Sequence, residues 1–337
     1  MALLNAQFPT LLDLAQMPEN KDAADVINML AAQNPILEDA PAFECNRGLT
    51  HESQIKTGLP SVTWGKLYQG IPAGKGNMQT VKDTTGFVES AAEVDTRFVD
   101  IFEKAEDKAS VRMDMASDHL EAMAQEGATA IFYHDSSINP EKPMGLSPRF
   151  NSLSAENSSQ VINGGGVGND NTSIWMVTWD KKSCHLIYPK GHQAGVKRTD
   201  RGIIPKQDSN GNTYMVYREE FAWHFGVVLK NWQYVVRIAN IDVSNLTKDA
   251  ATGAKILDLL TDAYYAHKGR RTSFGKTCIY MNTTIVKFLD YQARKSQNEN
   301  LFLTFDNYGP NSKEILHFRG VPIRECDAIL NSEDAVV

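Results

Sequence analysis

The chain has 337 residues, of which 42% are apolar and 22% charged, and its formal net charge is -7. That length exceeds the ~250–300 residues at which a single core stops growing, so two lobes are expected. The acidic balance argues against a protein that grips nucleic acid by neutralising many phosphates, and no apolar run approaches the ~18 residues of a bilayer-spanning helix.

The opening MALLNAQFPTLLDLAQMPENK lacks the basic segment of a secretory leader. Cys45, Cys184, Cys278 and Cys326 lie far apart with no CxxC pair. They read as buried free thiols of a protein that folds in a reducing cytoplasm. Residues 1–45 read as an arm with short helices. Asp22 is placed to cap a helix spaced by Val26, Ile27 and Leu30, and Pro35 ends it. The arm has too few large apolar side chains for a core, so it must lie on another surface.

From Ser61 the texture turns to β. SVTWGKLYQ and MQTVKDTTGFVES flank the turn region IPAGKGN, which predicts a long two-stranded excursion over 60–92. It offers little bulk to bury, and a lone hairpin is marginal in water, so it should dock on a neighbour. The longest helical signal follows. Ala109, Met113, Ala116, Leu120, Met123, Gly127 and Ala130 recur at steps of four and three. A helix over 109–131 would be roughly 35 Å long, with small residues that let a sheet approach closely.

INGGGVGNDN leads into a β-rich block. TSIWMVTWD and SCHLIYPKG read as strands, DSNGNTY as a tight turn, and EFAWHFGVVL and WQYVVRIANID as long strands joined at Lys230-Asn231. In the first of these long strands Phe221, Trp223, Phe225, Val227 and Leu229 share a face. The last third alternates: a helix in ATGAKILDLLTDAYYAH, a strand in TCIYMN, a helix in TTIVKFLDYQAR capped near Asn282 or Thr283, then strands in LFLTF and EILHFRGVPIREC. Helix, strand, helix, strand describes an α/β layer, with ARKSQNEN as an exposed loop.

The candidates for chemistry fail one by one. A dinucleotide fingerprint has a third glycine and opens a helix; here Asn169 fills that place and a strand follows, so Gly164–Gly168 reads as a flexible link. Gly275-Lys276-Thr277 ends like a P-loop, but Arg270 stands where the leading glycine belongs, and the segment enters a strand. Lys268, Arg270, Arg271 and Lys276 read as a solvated or subunit-contacting loop. The eight histidines show no paired metal spacing, and His224 reads as a strand-surface residue. Asp180, Ser183 and His185 lack a nucleophile elbow. Asp208–Asn212 is a turn and not a calcium loop. No catalytic, cofactor or metal constellation remains.

What remains is an arm without a core and a hairpin that cannot bury itself, which marks a chain completed by copies of itself. The order arm, hairpin, long helix resembles the major capsid proteins of tailed bacteriophages, which share the Hong Kong 97-like fold. EILHFRGVPIRECDAIL is similar to that family's closing strand pair, here through Gly320, Pro322 and Ile323. MALLNAQFPTLLDLA, TGLPSVTWGKLYQGI, NTSIWMVTWD and WQYVVRIANID look like the proteins of short-tailed, podovirus-type phages.

The resemblance implies an α+β fold with an N-arm over 1–45 and an E-loop over 46–92. A peripheral domain over 93–244 would hold the spine helix, and an axial domain would cover 245–337. The long strands precede the axial layer, which implies a rearranged connectivity. Trp64, Lys66, Tyr68, Lys75, Met78 and Lys82 become intersubunit E-loop residues; Arg270, Arg271 and Lys276 become axial-loop contacts. Pentamers and hexamers would form an icosahedral shell in the host cytoplasm around double-stranded DNA. No sequence-specific DNA binding and no membrane contact are expected. The expected partners are a portal protein, a separate scaffolding protein and a decoration protein. An encapsulin-like nanocompartment is the alternative within the fold, and a nucleotide-dependent α/β enzyme built on Gly275-Lys276-Thr277 is the alternative outside it.

Overall fold

A computed structural model describes residues 35–100, 105–207, 210–248, 253–271, 274–295, 303–306 and 315–337. The helix expected after Asp22 lies outside these residues. Pro35 opens a five-residue helix, α1 (Pro35–Asp39), because its missing N–H and fixed φ suit a first helical position. Ile36, Leu37, Ala40 and Ala42 then carry the chain into the main core.

The strands are β1 (Ala42–Glu44), β2 (Thr50–Gly58), β3 (Asn77–Thr84), β4 (Gly86–Asp95), β5 (Val161–Asn163), β6 (Asn171–Trp179), β7 (Cys184–Tyr188), β8 (Val196–Gln207), β9 (Thr213–Leu229), β10 (Val235–Asp242), β11 (Lys276–Met281), β12 (Leu303–Asp306), β13 (Ile315–Phe318) and β14 (Val321–Glu325). The remaining helices are α2 (Thr96–Asp100), the 29-residue α3 (Ala105–Tyr133), α4 (Ile256–Ala266) and α5 (Thr283–Lys295). Among the described residues β2 and β3 pair only with each other. The other twelve strands form one sheet, ordered β12-β13-β14-β11-β6-β7-β9-β4, with β10 on β6, β5 on β10, β1 on β7 and β8 on β9.

The period of two in a strand builds two cores from one sheet. Trp175, Val177 and Trp179 of β6, Val235 and Ala239 of β10, and Cys278 and Tyr280 of β11 join the α3 side. Ile174 and Met176, Val236 and Ile238, and Ile279 and Met281 face α4 and α5 through Ile256, Leu260, Ile285 and Leu289. Every residue of β6 is buried. The layer expected from residue 245 onward therefore takes its central strands, β6 and β10, from before that point. The side-chain amide of Asn282 begins α5 as expected, its oxygen accepting from the Thr284 N–H at 2.9 Å.

β9 joins the lobes. Its first part pairs with β4 and β8, and its last residues with β7. From Ala116 onward the predicted stripe of α3 is buried. Gly127 is required: a Cβ there would sit 2.2 Å from Trp223 Cζ3. Ser90 on β4 is hydrogen-bonded to His119 of α3 at 2.7 Å.

Three readings change. SVTWGKLYQ is not a strand; the outgoing strand is THESQIKTG, and DTTGFVES splits at Thr85 between β3 and β4. Strand-like alternation fails there because, among the described residues, nothing lies across it to bury its apolar face. β8 was not legible because its alternation is polar, as suits an edge strand that carries Lys, Arg and Pro205. The glycine run is not slack. Gly164 and Gly166 donate to the Ala239 and Asn240 carbonyls at 2.8 and 2.7 Å. A Cβ on Gly166 would meet Asn171 Oδ1 at 2.2 Å, so these glycines allow close backbone packing.

The carboxyl-terminal segment is strapped to this frame. Arg237 Nη2 donates to Glu333 at 2.7 Å with both side chains buried, and the Tyr133 and Ser173 hydroxyls donate to the same carboxylate. Arg237→Leu should lower subunit stability by about 3–5 kcal/mol, because it strands a buried carboxylate. A second change, Glu333→Leu, should recover part of that loss. Thermal unfolding of the parent, single and double variants checks the order.

Candidate assembly surfaces

The hairpin root is stitched by short-range contacts. Glu52 on β2 pairs with Arg47 at 3.1 Å and Lys82 at 3.2 Å. The Asn46 side chain exchanges two 2.8 Å hydrogen bonds with the Glu52 backbone. Beyond Gly58 the chain leaves the ladder and returns at Asn77. Pro60 and Pro72, with Gly65, Gly70, Gly74 and Gly76, leave this span without regular structure.

Its side chains are bare. Leu59, Val62, Leu67 and Ile71 are almost fully exposed, Trp64 is 98% exposed, and Tyr68 at the turn has φ 66. Monomers rarely expose a contiguous patch of this kind unless something covers it. Trp64, Lys66, Tyr68 and Lys75 lie on this span, whereas Met78 and Lys82 lie on β3 and Lys82 is tied to Glu52.

Arg270 and Arg271 close a short 3-10 turn after α4. The Arg270 and Arg319 guanidiniums lie 5.0 and 5.3 Å from the ring centroid of the half-exposed Tyr265, within cation–π range. Lys276 does not join them. It points inward to Asp39, 2.5 Å away and wholly buried, which also meets Arg324 at 3.3 Å and accepts from Tyr280 at 2.9 Å. These contacts link α1 to β11 and β14 over more than two hundred residues, and no local pattern marks them.

The nucleotide-like triplet is thereby accounted for. Gly275, at φ 79, turns tightly where a Cβ would lie 2.8 Å from Thr178 Cγ2; Lys276 serves Asp39; the Thr277 hydroxyl bonds that of Thr178 at 2.8 Å. His224 is half-buried, its ring 5.5 Å from Phe87 and 5.2 Å from His192. Among the described residues no three His, Cys, Asp or Glu side chains are grouped to hold a metal, and no helix is long and apolar enough to cross a membrane. All four cysteines are buried and unpaired.

A reaching hairpin, a long helix laid on a strand layer and a two-cored sheet define a shell subunit of the Hong Kong 97-like class. A family model described as "Major capsid protein GP7" matches residues 18–337, and the chain belongs to that family. It is similar to a chain in the structure of Bacteriophage Epsilon15, with 33% identity and a TM-score of 0.71 over 100% of this chain and 99% of that one. The Bacteriophage JBD30 capsid matches at 9% identity and TM-score 0.51, over 97% of this chain and 96% of that one, a likeness of fold alone. An SrpI encapsulin of Synechococcus elongatus PCC 7942 matches 62% of this chain and 87% of that one, at 8% identity and TM-score 0.42, too little to support the nanocompartment reading. No curated protein matches.

The chain is therefore a structural, non-enzymatic protein of a bacteriophage virion, and it assembles with copies of itself into an icosahedral capsid. Lys276→Ala should leave ATP binding undetectable by calorimetry, as in the parent. It should also lower unfolding stability by roughly 1–3 kcal/mol, since Arg324 still partners Asp39.

Proposed function

We propose that the subunits form pentamers and hexamers whose shell confines a double-stranded DNA genome, and that the hairpin over 46–92 is the E-loop that ties each subunit to its neighbour. The bare apolar span between Gly58 and Asn77 carries this reading. Removing that surface from water on a neighbour would stabilise the contact at ~25 cal/mol per Å². Trp64 and Tyr68 are the side chains suited to anchor it, being large, stiff and amphipathic. Lys66, Lys75, Met78 and Lys82 would line the same contact.

Of the arm expected over 1–45, Ile36, Leu37, Ala40 and Ala42 pack in the subunit's own core, and the part before them would lie on other subunits. The peripheral domain over 93–244 comprises α3 with β4, β8 and β9. The axial domain from 245 onward works as a unit with β6 and β10, since these strands share its core. Its outward turn presents Arg270 and Arg271 towards the symmetry axes, while Lys276 supports the arm root through Asp39. A scaffolding protein, a portal protein and a decoration protein complete the proposed set of partners, and assembly takes place in the host cytoplasm.

Replacing residues 59–76 by a two-residue Asn-Gly turn should leave a folded, soluble subunit that fails to form closed shells in electron micrographs. Shells of normal size from this variant would refute the assignment. The wall is also expected to be electrostatically passive. Unassembled subunits should bind duplex DNA negligibly near physiological salt in a filter assay, whereas assembled shells should survive molar sodium chloride, because exposed charge pairs contribute only ~0–1 kcal/mol each.

A further inference from the structure

Buried polar groups go unanswered at one place in particular, the root of the hairpin. His185 on β7 is fully buried, and neither of its ring nitrogens meets a side-chain partner. Its ring packs edge-on against Phe43 of β1 at 5.1 Å and His51 of β2 at 5.7 Å. His51 stands opposite Asp83 in the β2–β3 register. Asp83, also buried, gives one oxygen to Arg149 at 2.9 Å, and its other oxygen has no side-chain partner.

Arg149 belongs to the body. It donates to the carbonyls of Met144, Gly145 and Val227, each at 3.0 Å. The hairpin is thus seated on the body by one buried ion pair and by two imidazoles packed as uncharged rings. The other charges near the rings are Lys230 at the end of β9 and Lys181 in the β6–β7 turn; the Asp180 backbone hydrogen-bonds the His185 ring, and the Asp180 carboxylate acts on Lys230. Cys184 is adjacent on β7, its thiol pushed up to about 12 by burial. Glu44 of β1 is occupied elsewhere, accepting from the Gly191 N–H at 2.7 Å.

We propose that this root is a proton-operated hinge: His51 and His185 keep the hairpin seated while neutral, and protonating them releases it from the body. Burial, then Lys230, then His51 hold His185 down to about 3, and burial followed by Lys230 lowers His51. A histidine depressed in the seated state adds no penalty above its ordinary value of 6.5, and its seat weakens as pH falls from there towards 3. Asp83 acts in the opposite sense, because burial raises its carboxyl and taking up a proton relieves a buried charge.

Hydrogen exchange of the purified full chain at pH 8 and pH 5, corrected for intrinsic rates, tests the hinge. A histidine at about 3 when seated that recovered its full ordinary 6.5 on opening would make opening roughly thirtyfold more frequent at pH 5, a ceiling because Lys230 and Lys181 stay beside the ring. Amides of residues 50–54 and 80–84 should lose protection several-fold, up to that ceiling, while those of β6 and β10 do not. His185→Phe should flatten the response, and Asp83→Asn should retain it. Unchanged protection in the parent, or a full response in His185→Phe, overturns the hinge. If His185→Phe does not fold, His51→Phe is read in the same way, and an undiminished response in it is equally fatal. The hinge stands apart from the shell reading, since it is measured on unassembled subunits.

Discussion

The 17-residue strand β9 holds the molecule together. Phe221, Trp223, Phe225, Val227 and Leu229 alternate along one face and are all buried. The row runs without a break from beneath α3 into the core shared with β7. Burying five such side chains contributes on the order of 10 kcal/mol, comparable to the whole net stability of a domain. The strand cannot bend away from either lobe without exposing part of that row. Gly127 follows from it, because Trp223 occupies the space where any side chain at 127 would stand.

With the interior settled by β9 and by the double-faced β6, the rest of the molecule is defined by what these cores leave uncovered. Among the described residues the hairpin has both ladder edges open, with an apolar loop beyond them. A self-sufficient monomer would be destabilised by such a feature, whereas in a closed shell a neighbouring copy can cover it. The edge strand β8 shows the opposite strategy. Its outer face carries Arg201, which pairs with Glu220 at 2.8 Å, and Lys206, which pairs with Glu93, so charge discourages accidental strand addition.

Buried charge serves a different purpose. Asp39 with Lys276 and Arg324, Glu333 with Arg237, and Asp83 with Arg149 tie α1, the carboxyl-terminal strap and the hairpin to the body. An ion pair of this kind adds less net stability than an apolar contact of equal volume, but an alternative placement of the segment leaves a bare charge in the interior. The three carboxylates therefore fix where α1, the strap and the hairpin sit on the body.

Periodicity alone determined the elements: the α3 stripe, the β9 row, the Asn282 cap and the helix–strand alternation of the last third. The resemblance carried by the arm, hairpin and helix order led to the family. The exposure of Trp64 and Tyr68 was not legible in composition, because Leu59, Val62, Leu67 and Ile71 beside them give the span ample apolar bulk that the fold leaves bare. Three further things were decided by tertiary structure. Whether SVTWGKLYQ alternation becomes a strand depends on a partner across it, and among the described residues there is none. Whether Gly164–Gly168 is slack or tightly packed depends on Asn171 and Asn240, which the fold brings beside it. Whether Lys276 joins Arg270 and Arg271 depends on Asp39, 237 positions away. Local sequence encodes the period of a segment and the surface it must hide; which surface comes to lie against it is set by contacts between residues far apart in the chain.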